Sequence, residues 1–195
     1  MIKSHIILAS GWILYCALHS LFASVKFKQF AEQRMRSQYK FFRLYYIIFA
    51  FAGLAVIMIR LVTMSSYRLF IITQATTIIG SIVTAFGFIV MSLCIIKYFM
   101  QLSGLKKIIG NETRNELMIT GIHKIVRHPL YAATFIFILG WLILYPYLSL
   151  LIADIIVTAY TLIGLHFEEQ KLEKEFGNAY RVYKQKVPML IPKFG

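Results

Sequence analysis

Arg127-His128-Pro129, followed by Tyr131, and the adjacent pair Glu168-Glu169 are the residues of this chain best equipped for chemistry. A planar guanidinium grips a carboxylate or phosphate through two hydrogen bonds, and a carboxylate pairs with an ammonium. An imidazole gives or takes a proton near neutral pH. Beyond the glutamates, Leu172, Phe176, Tyr180, Tyr183 and Val187 recur every three or four residues. That is one face of a helix, which Gly177 is placed to interrupt. Two hydrophobic segments separate the clusters, so a membrane hairpin must carry both to one surface. A charged pocket on such a hairpin points to an enzyme handling a polar cofactor and a lipophilic or volatile substrate.

The elements that must position these residues follow from composition. Of 195 residues, 59% are hydrophobic and only 15% charged, which excludes an ordinary soluble domain. The expected fold is an all-α membrane protein, a single integral-membrane domain over 1–195. Apolar runs predict about five transmembrane helices, over 5–24, 41–62, 78–100, 129–145 and 147–166. The first run is expected to be a retained helix and not a removed signal, because no small-residue cleavage site follows it. Residues 63–77, mixed in polarity, suit an outer loop or interfacial turn. Tyr145-Pro146-Tyr147 should turn the chain between the last two spans. Pro129 fits the first turn of its helix with His128 as N-cap, so that helix start makes an anion site at the membrane boundary.

The net charge of +13 is distributed in blocks. Lys26, Lys28, Arg34, Arg36, Lys40 and Arg43 lie between the first two runs. Lys97, Lys106, Lys107, Arg114, Lys124 and Arg127 lie between the third and fourth, and Lys171, Lys174, Arg181, Lys184, Lys186 and Lys193 follow the fifth. Only Lys3, Arg60 and Arg68 remain for the other side. This alternation predicts the N-terminus outside and a helical C-terminal tail in the cytoplasm. It favours anionic membrane lipid as a partner and, with no groove-reading motif, excludes nucleic acid. Cys16, Cys94 and the five histidines show no ligand spacing, so neither a metal nor a disulfide is expected.

Each candidate also has a plain reading. Arg127 alone is a snorkelling anchor; beside His128, a helix start and an acidic pair, it becomes part of a binding site. Glu168 and Glu169 stand at a helix C-terminal region, where negative charge is disfavoured, so at least one is expected to have a positive partner, either Arg127 or a ligand ammonium. Adjacent residues point about 100° apart, so one faces the pocket while the other braces a loop. Glu169 is favoured for the pocket, with Glu168 left open. Tyr131, Tyr180 and Tyr183 are interface aromatics or a stacking surface for a flat heterocycle. His19-Ser20 ends the first span on the cytoplasmic side, either as a satisfied interfacial pair or in contact with substrate. Asp154 lies inside the fifth run, where a carboxylate needs a partner, a proton or a wet cleft, and a structural or gating role is expected.

Gly121-Ile122-His123, Val126-Arg127-His128-Pro129-Leu130-Tyr131 and the tail from Glu168 to Pro192 together resemble the integral-membrane methyltransferases. That superfamily includes the isoprenylcysteine carboxyl methyltransferases and the phospholipid methyltransferases. His19-Ser20-Leu21, Arg43-Leu44-Tyr45-Tyr46, Gly104-Leu105-Lys106 and the segment Tyr160 to Glu169 are similar to the methanethiol S-methyltransferase branch. One departure is His123, where the family commonly carries tyrosine. The resemblance implies S-adenosylmethionine as cofactor, held by the hairpin and tail over 120–192. His123, Val126, Arg127, His128, Pro129, Tyr131, Glu168, Glu169 and Tyr180 would bind it. Arg127, His128 and Glu169 would be catalytic, and His19 and Ser20 would meet the substrate. The substrate would be a lipophilic or small thiol, a prenylcysteine carboxylate or an amino lipid. The expected location is a bacterial inner membrane with the site facing the cytoplasm. Rival readings are an NADPH-dependent enzyme resembling the sterol reductases, disfavoured by the acidic pair, and a non-catalytic membrane module.

Overall fold

The computed structural model describes residues 1–102 and 117–193, with side chains of 98–102 left aside. The Gly104-Leu105-Lys106 motif and the cations Lys106, Lys107 and Arg114 lie outside the described residues. The described chain is helical: α1 (Ile2–Ala23), α2 (Val25–Met35), α3 (Phe42–Thr63), α4 (Gln74–Leu102), α5 (Pro129–Leu144), α6 (Leu148–Phe176) and α7 (Asn178–Lys186). Short 3-10 turns cover Arg36–Phe41 and Gly121–Lys124. Extended pairing among the described residues is limited to one isolated bridge, Arg68 with Tyr147.

Four of these stretches are long and apolar enough to cross a membrane, namely α1, the run Val25–Thr63, α4 and α6. The fourth expected span, α5, has 16 residues and covers only about 24 Å, short of a roughly 30 Å hydrocarbon core. The expectation of five spans therefore resolves into four helices of spanning length and one shorter apolar helix. The protein is an integral membrane protein.

The residues cluster into two compact units, one formed by 1–70 with 146–160 and the other by 71–145 with 161–195. In the first unit, the segment after α3 is pinned to the Pro146 turn. Leu69 donates its N–H to the Pro146 carbonyl at 2.7 Å, and Leu148 donates to Tyr67 at 2.9 Å. Ser66 Oγ accepts the Ser149 N–H at 2.9 Å and lies 2.8 Å from His5 Nε2. Gly53 leaves room for the Tyr15 ring, whose hydroxyl donates to the Ala50 carbonyl at 3.1 Å. The basic stretch after the first span holds α2, which composition had marked only as a charge block. Ser24 caps this helix by accepting the Phe27 N–H at 3.2 Å. Cys16 and Cys94 are both buried free thiols. Asp154 Oδ2 is buried and has no hydrogen-bond partner among the described residues.

In the second unit, α4 and α5 run antiparallel in close register. Gly80 faces Leu144, Gly140 faces Thr84, and Gly87 faces Phe137, so each step up α4 matches an equal step down α5. Thr134 Oγ1 donates to Met91 Sδ at 3.8 Å further along the same seam. In lipid, where helices gain little from hiding apolar surface, small residues that let backbones touch supply the attraction.

The tail breaks where its sequence pattern indicates. α6 ends at Phe176, Gly177 takes φ 55°, and α7 starts at Asn178. A Cβ at Gly177 meets open space, so the glycine is there for its backbone angle and not for room. Gly177→Ala is therefore expected to cost about 1–3 kcal/mol, because φ 55° with ψ −127° is a backbone region open essentially to glycine, read as a lower melting temperature in detergent.

Candidate active site

The second unit builds its polar cluster from three pieces of chain. Gly121, at φ 64°, starts the turn that leads into the 125–128 segment. Pro129 then opens α5, and His128 occupies the N-cap without a side-chain cap bond. The apolar stripe of α6 runs Leu165, Leu172 and Phe176, and Glu169 stands within it. Its neighbour Glu168, about 100° around the helix, is half-buried.

Glu169 is the centre. Its Oε1 accepts from Arg127 Nε at 2.7 Å, from His128 Nε2 at 3.1 Å and from the Tyr180 hydroxyl at 3.1 Å. Arg127 Nη2 lies 2.6 Å from the same oxygen, and Lys184 Nζ lies 3.3 Å from Oε2. The remaining arm of Arg127, Nη1, donates to the carbonyls of Lys184 and Val187. The guanidinium thus joins a buried acid to the end of the tail. Burial first, and then the Glu169 charge, push the Tyr180 hydroxyl well above its ordinary pKa, so it remains a donor.

Backbone bonds complete the clamp. Arg127 N–H donates to Pro188 at 2.9 Å and His128 N–H to Met189 at 3.1 Å. The Tyr183 hydroxyl donates to the His123 carbonyl at 2.6 Å. His123 Nδ1 lies 3.0 Å from the Arg127 carbonyl and must carry the proton to donate there. Burial lowers the His123 pKa from its ordinary value, which keeps the ring neutral at pH 7. Glu168 sits on the outer side of this core and accepts the Tyr131 hydroxyl at 3.0 Å on Oε2.

The expected cluster of Arg127, His128, Tyr131, Glu168, Glu169 and Tyr180 is thus brought together, with Val126 and Pro129 buried beside it. Lys184 and Tyr183 join it; the sequence had marked one as a topology charge and the other as an aromatic of open role. His19 and Ser20 belong to the first unit and make a separate polar group. His19 Nδ1 and Ser20 Oγ lie 3.0 and 2.9 Å from the Tyr160 hydroxyl, and Tyr46 OH lies 2.8 Å from His19 Nε2.

Residues 75–179, more than half of the chain and most of this cluster, match the family described as phospholipid methyltransferase. The chain belongs to that family. Among curated relatives of this family member, methanethiol S-methyltransferase 2 of Bradyrhizobium diazoefficiens is 40% identical over 77 residues, covering 37% of this chain and 27% of the relative. Methanethiol S-methyltransferase of a Pseudomonas species shows the same identity over the same length and shares. That of Crocosphaera subtropica is 34% identical over 73 residues, covering 37% of this chain and 28% of the relative. The alignments therefore span little more than a quarter of these relatives' length. No solved structure matches the chain.

Proposed function

We propose that this family member is an S-adenosylmethionine-dependent methyltransferase acting on a small thiol, with the donor held at the Arg127–Glu169 cluster. The observation that carries the reading is the convergence of the 127–131 motif and both glutamates on one clamped site, in a chain whose relatives are named for thiol methylation. S-adenosylmethionine supplies a methyl group already activated on a sulfonium sulfur. Its amino-acid end needs an acceptor for an ammonium and donors for a carboxylate, and the residues present fit both needs. Glu168 Oε1 has no hydrogen-bond partner among the described residues, whereas Oε2 is oriented by Tyr131. The α5 start carries no side-chain cap, so its first-turn N–H groups suit a carboxylate.

The inner residues then take positioning roles. Arg127, Glu169 and Tyr180 hold the tail against the 121–128 turn and keep the site rigid and dry. His123 and Val126 form the backbone wall beside it. Because Glu169 only accepts, His128 Nε2 must carry the ring proton, which leaves Nδ1 as the basic atom. A thiol reacts as its thiolate, so Nδ1 takes the thiol proton and Glu169 steadies the resulting imidazolium. The basic blocks favour a cytoplasmic site with the N-terminus outside, and the bacterial sources of the relatives favour an inner membrane as the location.

Titration of S-adenosylhomocysteine and of NADPH into detergent-purified protein tests the donor, and methyl transfer to methanethiol, prenylcysteine analogues and amino lipids tests the acceptor. Binding of the first nucleoside alone is expected, with turnover only on thiols. Glu168→Gln is expected to weaken donor binding about tenfold or more, the worth of a hydrogen bond to a charged group. Failure of the wild type to bind S-adenosylhomocysteine overturns the reading.

A further inference from the structure

The first unit contains a second place with the character of a binding site, independent of the methyl-transfer reading. Residues from the end of α1, from α2 and from the beginning of α3 together line an open cavity of about 330 Å³. That is at the lower end of the range of ligand pockets. Its wall is largely aromatic. Phe22 packs at 4.8 Å centroid distance on both Phe27 and Phe49, and Phe27 lies 6.2 Å from Phe42. Arg34 is the one charged residue of the lining. On α2 it falls three and four residues after Ala31 and Phe30, on the same face. It makes no ion pair among the described residues.

We infer that this cavity holds one acyl chain of an anionic phospholipid whose phosphate rests on Arg34. The cavity lining includes the last turns of α1 and the first turns of α3, the ends of two apolar runs. The end of a span is the level at which a bilayer lipid changes from headgroup to chain. A purely apolar ligand gives no role to the cation, and a soluble anion gives none to the phenylalanines. A lipid satisfies both. The surrounding segment 25–43 carries Lys26, Lys28, Arg36, Lys40 and Arg43 beside Arg34, against the single acid Glu32. Such a field favours a headgroup of net negative charge over a zwitterionic one. Phe30, 61% exposed, stands where it can close over the chain.

The test uses the full chain, delipidated in detergent and then offered phosphatidylglycerol or phosphatidylcholine with identical chains, with retained lipid counted by native mass spectrometry. One phosphatidylglycerol per chain is expected, retained about fivefold or more over phosphatidylcholine. Arg34→Gln should erase that preference, and Arg34→Lys should keep most of it. Phe30→Ala should weaken retention of both lipids alike. Circular dichroism checks that each variant keeps its helices. Equal retention of the two lipids by the wild type overturns the inference. So does an unchanged preference in Arg34→Gln, or a second protein chain found in place of the lipid.

Discussion

Arg127→Ala is expected to release the C-terminal tail and to cost about 3–5 kcal/mol, the penalty for leaving a buried charge without its partner. Both side chains of the pair are under 10% exposed, at 8% for Arg127 and 9% for Glu169. His128, Tyr180 and Lys184 still contact the acid in the variant, but none of them replaces a buried positive charge that also bridges to two tail carbonyls, and Lys184 is itself 43% exposed. Arg127→Lys should recover only part of the loss, because an ammonium cannot reach the acid and both carbonyls in one plane. Arg181→Ala is the control. That side chain pairs with Glu173 at 2.8 Å but is 64% exposed, so its loss should cost under about 1 kcal/mol. Thermal unfolding in detergent reads the stabilities, and limited proteolysis beyond Gly177 reads the tail. An Arg127→Ala protein as stable and as protected as Arg181→Ala would remove the clamp from the account.

The second large effect belongs to the α4–α5 seam. A Cβ at Gly140 would fall 2.6 Å from Thr84 Oγ1 and still closer to the Thr84 backbone nitrogen. Because backbone, unlike a side chain, cannot rotate away, the helices must separate. Gly140→Leu should therefore destabilise by about 3 kcal/mol or more, the upper range for overpacking. Gly164→Leu serves as the comparison, since a Cβ there meets nothing within 4 Å. Melting of the two variants side by side decides. Equal melting temperatures would mean that the close approach does not hold the hairpin.

Much of this was legible from the chain alone, and the exceptions have physical causes. Span positions follow from apolar runs, and observed ends lie within about four residues of the expected ones except in α6. That helix continues ten residues past 166 to Phe176 and so leaves Glu168 and Glu169 inside the helix and not at its end. The break at Gly177 was readable because glycine interrupts a regular stripe. Glu169 is favoured over Glu168 for the pocket, and Glu169 Oε1 is held inside the clamp by Arg127, His128 and Tyr180. Arg127 is one of the two partners expected for the acidic pair and it does hold Glu169, but its second use was not readable. Its tail partners are the Lys184 and Val187 carbonyls, and every residue has one, so side-chain pattern carries no trace of them. The polar group around His19 was hidden for a different reason. Its partner Tyr160 lies 141 residues away, and only folding brings them together. The helix α2 was obscured because its lysines and arginines read first as topology signals, which masked the phenylalanine face beneath.

The bond from Arg127 to Val187 joins residues 60 positions apart. At synthesis rates of about 5–20 residues per second, the 121–128 turn waits several seconds for its partner segment. No shortened or stalled product lacking that segment can assemble the clamp. The clamp therefore forms only after Val187 has been added, so the 121–128 turn stays unfixed until the tail is made.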